Sequence, residues 1–126
     1  MSREVVSTDK APKAMGPYSQ AVKANGFLFL SGQIPFNPET GELVLGSITD
    51  QTRQVLSNLK AVIEAAGSSM KKVVKMSVFL LNMDDFGEMN DEYSKWFTSE
   101  PPARAAVQVA RLPRDVGIEI EAIAIL

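Results

Sequence analysis

The chain has 126 residues, 45% of them hydrophobic and 22% charged, with 13 basic and 15 acidic side chains for a formal charge of −2. That size suits one hydrophobic core rather than two, so a single domain over residues 1–126 is expected. The acidic balance creates no global field for nucleic acid or an anionic membrane. The lack of both histidine and cysteine excludes disulfides, thiol nucleophiles, Ser-His-Asp triads and ordinary zinc sites.

The first stretch, Met1 to Lys10, is charged and lacks the apolar run of a secretory leader. No segment approaches the roughly 20 apolar residues that span a bilayer, and the cytoplasm is the expected compartment. Pro12, Gly16 and Pro17 mark an early loop. Ala21 to Ser31 reads as a hairpin, because Asn25-Gly26 is a favoured two-residue turn between apolar runs. Pro35 to Gly41 is a second turn region.

Ile48 to Ala66 predicts an amphipathic helix. Ile48, Thr52, Val55, Leu59, Val62 and Ala66 recur at spacings of three and four, with Ser47 or Thr49 as the N-cap and Gly67 beyond the C-terminus. Lys72 to Leu81 is rich in β-branched and large apolar residues and predicts a buried strand. Asp84 to Phe97 predicts a second helix with Phe86, Met89, Tyr93, Trp96 and Phe97 on one side, ended by Pro101-Pro102. Two strands follow, Ala103 to Ala110 and Val116 to Leu126, around a Leu-Pro-Arg-Asp turn.

The order β-β-β-α-β-α-β-β, with two helices to cover one sheet face, predicts an α+β two-layer sandwich. The last strand has Ile118, Ile120, Ala122, Ala124 and Leu126 on one face. Its other face carries Glu119 and Glu121, then Ile123 and Ile125. A strand that is apolar on both sides at one end needs cover on both sides there, so a second subunit is expected on the face the helices leave open.

Two side chains stand out for chemistry. Arg104 begins a strand among small residues, Ala103, Ala105 and Ala106, which leave room for a carboxylate against its planar fork; a surface ion pair is the plainer reading. Glu119 alternates with Ile118 and Ile120, and partial burial would raise its pKa toward general acid/base work; a solvated carboxylate is the alternative. If the last two strands form a hairpin about Pro113-Arg114, Arg104 falls opposite Ile123, with Glu119 roughly 13 Å away along the strand. Either those strands are not neighbours or a shared site needs a second subunit. Tyr18, in the Gly16 to Ser19 loop, and Ser31-Gly32, at a strand end, are candidate pocket residues, as is Asn90 in the second helix. No phosphate-loop or dinucleotide fingerprint is present, and no dense acidic loop offers a cation site, so no metal is expected.

Together Gly16-Pro17-Tyr18-Ser19-Gln20-Ala21, Leu30-Ser31-Gly32-Gln33-Ile34-Pro35, Asn58-Leu59, Met89-Asn90 to Tyr93, Pro102-Ala103-Arg104, Leu112-Pro113 and Ile118-Glu119-Ile120 resemble the reactive intermediate deaminase family (RidA, also YjgF) over essentially the whole chain. The resemblance implies a chorismate-mutase-like fold, a homotrimer with clefts between subunits, and hydrolysis of 2-enamines and 2-imines to 2-keto acids and ammonia without a cofactor. It implies that Arg104 binds the substrate carboxylate, helped by backbone groups of Gly32 and Ala106. Glu119 would handle water and protons, and Tyr18, Ser31 and Asn90 would line the cleft. Many bacterial members carry cysteine where this chain has Ala106, so thiol-dependent behaviour of such relatives does not transfer. The alternative is a metabolite-binding regulatory protein, since relatives have been described as translation inhibitors, ribonucleases or purine regulators; nucleic acid is not an expected partner here.

Overall fold

Asn25 and Gly26 adopt φ of 53° and 83°, the left-handed pair that a tight hairpin turn needs. They join β2 (Ala21–Ala24) to β3 (Phe27–Gln33) as the sequence predicts. The computed structural model describes residues 2–126, so Met1 of the N-terminal stretch lies outside the described residues. A short β1 (Glu4–Val6) precedes this hairpin and pairs with β2. The Pro35 to Gly41 turn region is a separate miniature hairpin of β4 (Phe36–Asn37) and β5 (Glu42–Leu43).

Helix α1 (Ile48–Ala65) is capped by the Ser47 hydroxyl, which accepts from the Asp50 amide at 3.1 Å. Every member of its predicted stripe is buried, Thr52 and Ala66 included. Strand β6 (Val73–Leu80) leads to a 3₁₀ turn and then α2 (Phe86–Ser94). This helix is shorter than the sequence suggests at both ends. Lys95 and Trp96 bond back only three residues, to Glu92 and Tyr93, so the last turn has tightened before Pro101-Pro102 is reached. The chain closes with β7 (Ala103–Gln108) and β8 (Ile118–Ile125).

The six-stranded sheet runs β1-β2-β3-β8-β6-β7, with β6 and β7 parallel and the other neighbours antiparallel. Of the two arrangements the sequence leaves open, the structure has β7 and β8 apart, because β6 lies between the two strands. Helix α2 is a crossover that returns the chain parallel to β6, which places β7 at the sheet edge. Beyond β7 the ladder continues with the Val109 amide bonding Leu80.

Both helices lie on one face, as expected of a two-layer α+β sandwich. Leu28, Leu30, Met76, Val78, Leu80, Ile118, Ile120, Ala122 and Ala124 point into the core beneath α1 and α2. Leu126, assigned to that face from the sequence, lies past the strand end and is exposed. The opposite face carries Phe27, Phe29, Ile125 and Val107 at 39%, 45%, 41% and 45% exposure. Phe27, Phe29 and Ile125 form one exposed apolar patch, and Val107 lies apart from it on the edge strand, beyond Lys75, Ser77 and Glu121. No helix among the described residues is long and apolar enough to cross a membrane.

Candidate functional site

Strand register decides where each candidate points, since residues paired across neighbouring strands share a face. Arg104 pairs with Met76, which faces the helices; Glu119 pairs with Phe79, which faces the open side. Within one chain the two therefore lie on opposite faces of the sheet. The expectation that they do not meet in one chain holds, but its reason is the facing of the strands and not a displacement along a hairpin.

Glu119 lines a cavity of about 530 Å³ together with Tyr18, Ser31 and Gly32. The close approach of β3 and β8 depends on glycine: a Cβ at position 32 would lie 3.0 Å from Cδ and 3.1 Å from Cγ of Glu119, and would collide with its Oε2. The ladder is irregular between Leu30 and Gln33, and this irregularity brings the Gly32 backbone against the carboxylate. Burial, and secondarily the charge of Glu121, push the Glu119 carboxyl above its ordinary value. A half-buried carboxyl of that kind exchanges protons closer to neutrality than a solvated one.

The cavity wall is held by hydrogen bonds. The Ser31 hydroxyl donates to the Ser19 carbonyl at 2.6 Å. Buried Gln20 accepts from the Thr8 amide at 2.7 Å and donates to the Pro12 carbonyl at 2.7 Å, tying the N-terminal loop across the cavity. Gln20 belongs to the Gly16 to Ala21 stretch, whose sequence alone suggests no role for it. Lys13, Met15, Phe36 and Arg114 also line the cavity, unanticipated from the sequence. The Leu-Pro-Arg-Asp turn that carries Arg114 holds Arg114 and Asp115 at φ of 59° and 58°, a region that non-glycine residues other than Asn and Asp seldom occupy.

Arg104 and Asn90 line a second cavity, of about 400 Å³, with Tyr93, Phe97, Pro101 and Pro102. The guanidinium donates to the Asn90 Oδ1 at 2.8 Å and lies 4.7 Å from the Tyr93 ring centre and 5.4 Å from that of Phe86. Such cation–π contacts contribute about 0.5–2 kcal/mol each. The phenol is buried, which raises its pKa against the opposing charge of Arg104, so it stays neutral. Its hydroxyl finds no hydrogen-bond partner among the described residues. Ala106 shares the helix-side face with Arg104 and lines neither cavity.

Helix α2 is itself fixed to α1. Glu88 accepts from the Thr49 amide at 2.9 Å, and buried Glu92 accepts from Arg53 at 3.2 Å, Lys95 at 3.3 Å and the Trp96 indole at 3.0 Å. Burial alone would raise the Glu92 pKa, but the bonds from Trp96, Arg53 and Lys95 outweigh it and hold the carboxyl below its usual value.

A family model described as Endoribonuclease L-PSP matches residues 8–126. The chain is 59% identical over 122 residues to a RutC family protein of Pyrococcus horikoshii, covering 97% of each. It is 48% identical over 123 residues to a 2-iminobutanoate/2-iminopropanoate deaminase of Mus musculus, covering 98% of this chain and 91% of that one. Among solved structures, the Rid-family protein YyfA of Yersinia pestis superposes with a TM-score of 0.97 at 46% identity, covering 99% of this chain and 100% of that one. Escherichia coli TdcF with bound serine gives a TM-score of 0.93 at 44% identity, with 98% of each chain covered.

Proposed function

We infer the reaction from one premise: the chain belongs to the reactive intermediate deaminase (RidA) family. On that premise it hydrolyses 2-imino acids, and the 2-enamines that tautomerise to them, to 2-keto acids and ammonia. The observation that carries this reading is Glu119, a half-buried carboxyl with a raised pKa, in a cavity beside Gly32, Ser31 and Tyr18. The equipment suits the chemistry. A protonated imine is already electrophilic, so no protein nucleophile is required. Glu119 takes a proton from water as its oxygen bonds to the imine carbon and returns it to nitrogen. As the C–N bond breaks, Glu119 takes the remaining hydroxyl proton, the C=O forms, ammonia leaves, and that proton passes to solvent. Arg104 binds the substrate carboxylate with its fork and fixes the reacting carbon in place. The reaction has no need of a metal or cofactor, and the cytoplasm is the compartment proposed for it.

Because Arg104 and Glu119 lie on opposite faces of one sheet, a cleft containing both takes them from two copies of the chain. The exposed apolar patch of Phe27, Phe29 and Ile125, with exposed Val107 on the β7 edge, supports such packing. We therefore propose a homotrimer with clefts between subunits, in which the β7 edge of one copy meets the Glu119 cavity of the next.

The test generates 2-iminopropanoate in situ and follows its decay with wild type, Arg104→Ala, Glu119→Ala and a co-refolded mixture of the two variants. Each variant alone should lose at least about a hundredfold in rate. The mixture should recover about a quarter of wild-type activity, since random assembly pairs one intact arginine with one intact glutamate at that frequency in a head-to-tail ring. Unchanged decay with Arg104→Ala sinks the deaminase reading, and no recovery in the mixture sinks the shared cleft. A binding-only, regulatory reading draws on the serine bound to TdcF; it predicts that wild type leaves imine decay unaccelerated.

A further inference from the structure

Within one chain the side-chain partners that hold the Arg104 guanidinium among the described residues share one property: all three are neutral. Arg53 pairs with Asp50 and Glu92, and Arg111 pairs with Asp115. Arg104, by contrast, forms no salt bridge among the described residues and is held by an amide oxygen and two ring faces. Those three partners, Phe86, Asn90 and Tyr93, are spaced i, i+4 and i+7 along α2 and so form one stripe of the helix. We propose that this stripe is a charge-neutral cradle, which fixes the direction of the Arg104 guanidinium while leaving its positive charge uncompensated for a substrate carboxylate. Phe86, Asn90 and Tyr93 are thus positioning residues that act through Arg104.

The alternative arrangements show why neutrality matters. A carboxylate in place of Asn90 would hold the same guanidinium nitrogen by a stronger bond, but it would compete with the ligand for the charge. A flexible arginine with no cradle would keep its charge and lose its direction, and ordering it would then draw on binding energy. The unpartnered Tyr93 hydroxyl fits the same logic. Its ring face contacts the arginine, and its O–H finds no hydrogen-bond partner among the described residues, so within one chain the ring is the part in use. Glu88 and Glu92 hold α2 to α1 on other positions of the helix, which keeps the stripe turned toward β7.

This inference rests on Arg104 as the carboxylate anchor of the proposed reaction, and its test separates the two. Asn90→Asp preserves shape and the hydrogen bond but cancels the charge. It should raise KM for the imine at least about tenfold with kcat within about threefold, the pattern of lost uniform binding, and should leave Tm equal or higher. Tyr93→Phe keeps the ring and should match wild type; Tyr93→Leu removes it and should raise KM. Should Tyr93→Leu fail to fold, Asn90→Asp decides alone, because position 90 is only partly buried. A wild-type KM for Asn90→Asp, or loss of activity in Tyr93→Phe, overturns the cradle. If wild type hydrolyses no imine, the deaminase reading falls, and titration with 2-oxobutanoate still reads the cradle: Asn90→Asp should bind it at least about tenfold more weakly, and equal affinity would overturn the inference.

Discussion

Replacing Gly32 with alanine puts a methyl group where the Glu119 side chain lies. The new Cβ would sit 3.0 Å from Cδ and 3.1 Å from Cγ and would collide with Oε2, whereas comfortable carbon–carbon contacts are about 3.5–4.0 Å. The carboxyl must therefore move by roughly half an ångström or more, or change rotamer at a cost of about 0.5–1.5 kcal/mol. Because the clash is with the end of a flexible side chain, the fold should tolerate it, with a stability change of no more than about 1 kcal/mol. Catalysis should not. A displacement approaching an ångström at a reacting group is worth about a hundredfold in rate, or about 2.7 kcal/mol of barrier. The assay is kcat/KM for imine hydrolysis beside a thermal melt. Gly117→Ala provides the contrast. Its Cβ would meet Ile48 Cδ1 at 2.9 Å and Gln51 Oε1 at 3.1 Å, where Gln51 already accepts from the Gly117 amide at 2.8 Å. That variant should lose about 1–3 kcal/mol of stability while its folded molecules keep their activity. Should Gly32→Ala retain more than about a third of wild-type kcat/KM, or lose activity only in step with stability, the placement of Glu119 as the acid/base group is wrong.

Two further outcomes follow from the carboxyls whose pKa values shift. Glu119 is raised in the folded chain, so the native state holds extra proton between the unfolded and folded values, and stability falls as pH rises through that interval. Glu119→Gln should accordingly melt above wild type at pH 7 and level with it below both values; a lower melting point at pH 7 would contradict the burial argument. Glu92 has the opposite sign, being lowered by its three donors. Its stabilisation is present above the unfolded value and lost as pH falls through the folded one. Glu92→Gln should shift the urea midpoint at pH 7 down by the equivalent of about 1–3 kcal/mol, and an unchanged midpoint would remove Glu92 as the link between the helices.

Local signals in the sequence were read correctly because their causes are local. The Asn25-Gly26 turn needs only two backbone conformations, and the α1 stripe needs only a period that the chain itself carries. The sequence leaves the β7–β8 pairing open because turn and strand residues alone cannot reveal that a third strand, β6, intervenes after a helical crossover; parallel pairing is non-local. The candidate residues of the site come from their resemblance to a family. Their arrangement does not. The contact of Gly32 with Glu119 depends on an irregularity in the β3–β8 ladder, and the facing of Arg104 depends on its pairing with Met76. The small neighbours of Arg104 suggested room for a ligand, whereas the rings of Phe86 and Tyr93, which hold its charged group, lie on a helix that the alternation of β7 does not mention.

The opposite facing of Arg104 and Glu119 also sets the arithmetic of damage. In the proposed head-to-tail ring each chain would lend its arginine to one neighbour and its glutamate to the other. A subunit defective in one residue silences a single cleft, and a subunit defective in both silences one on either side of itself. Mixed assemblies of intact and altered chains would then lose activity in graded steps, with the steepness reporting whether one face of the sheet was hit or both.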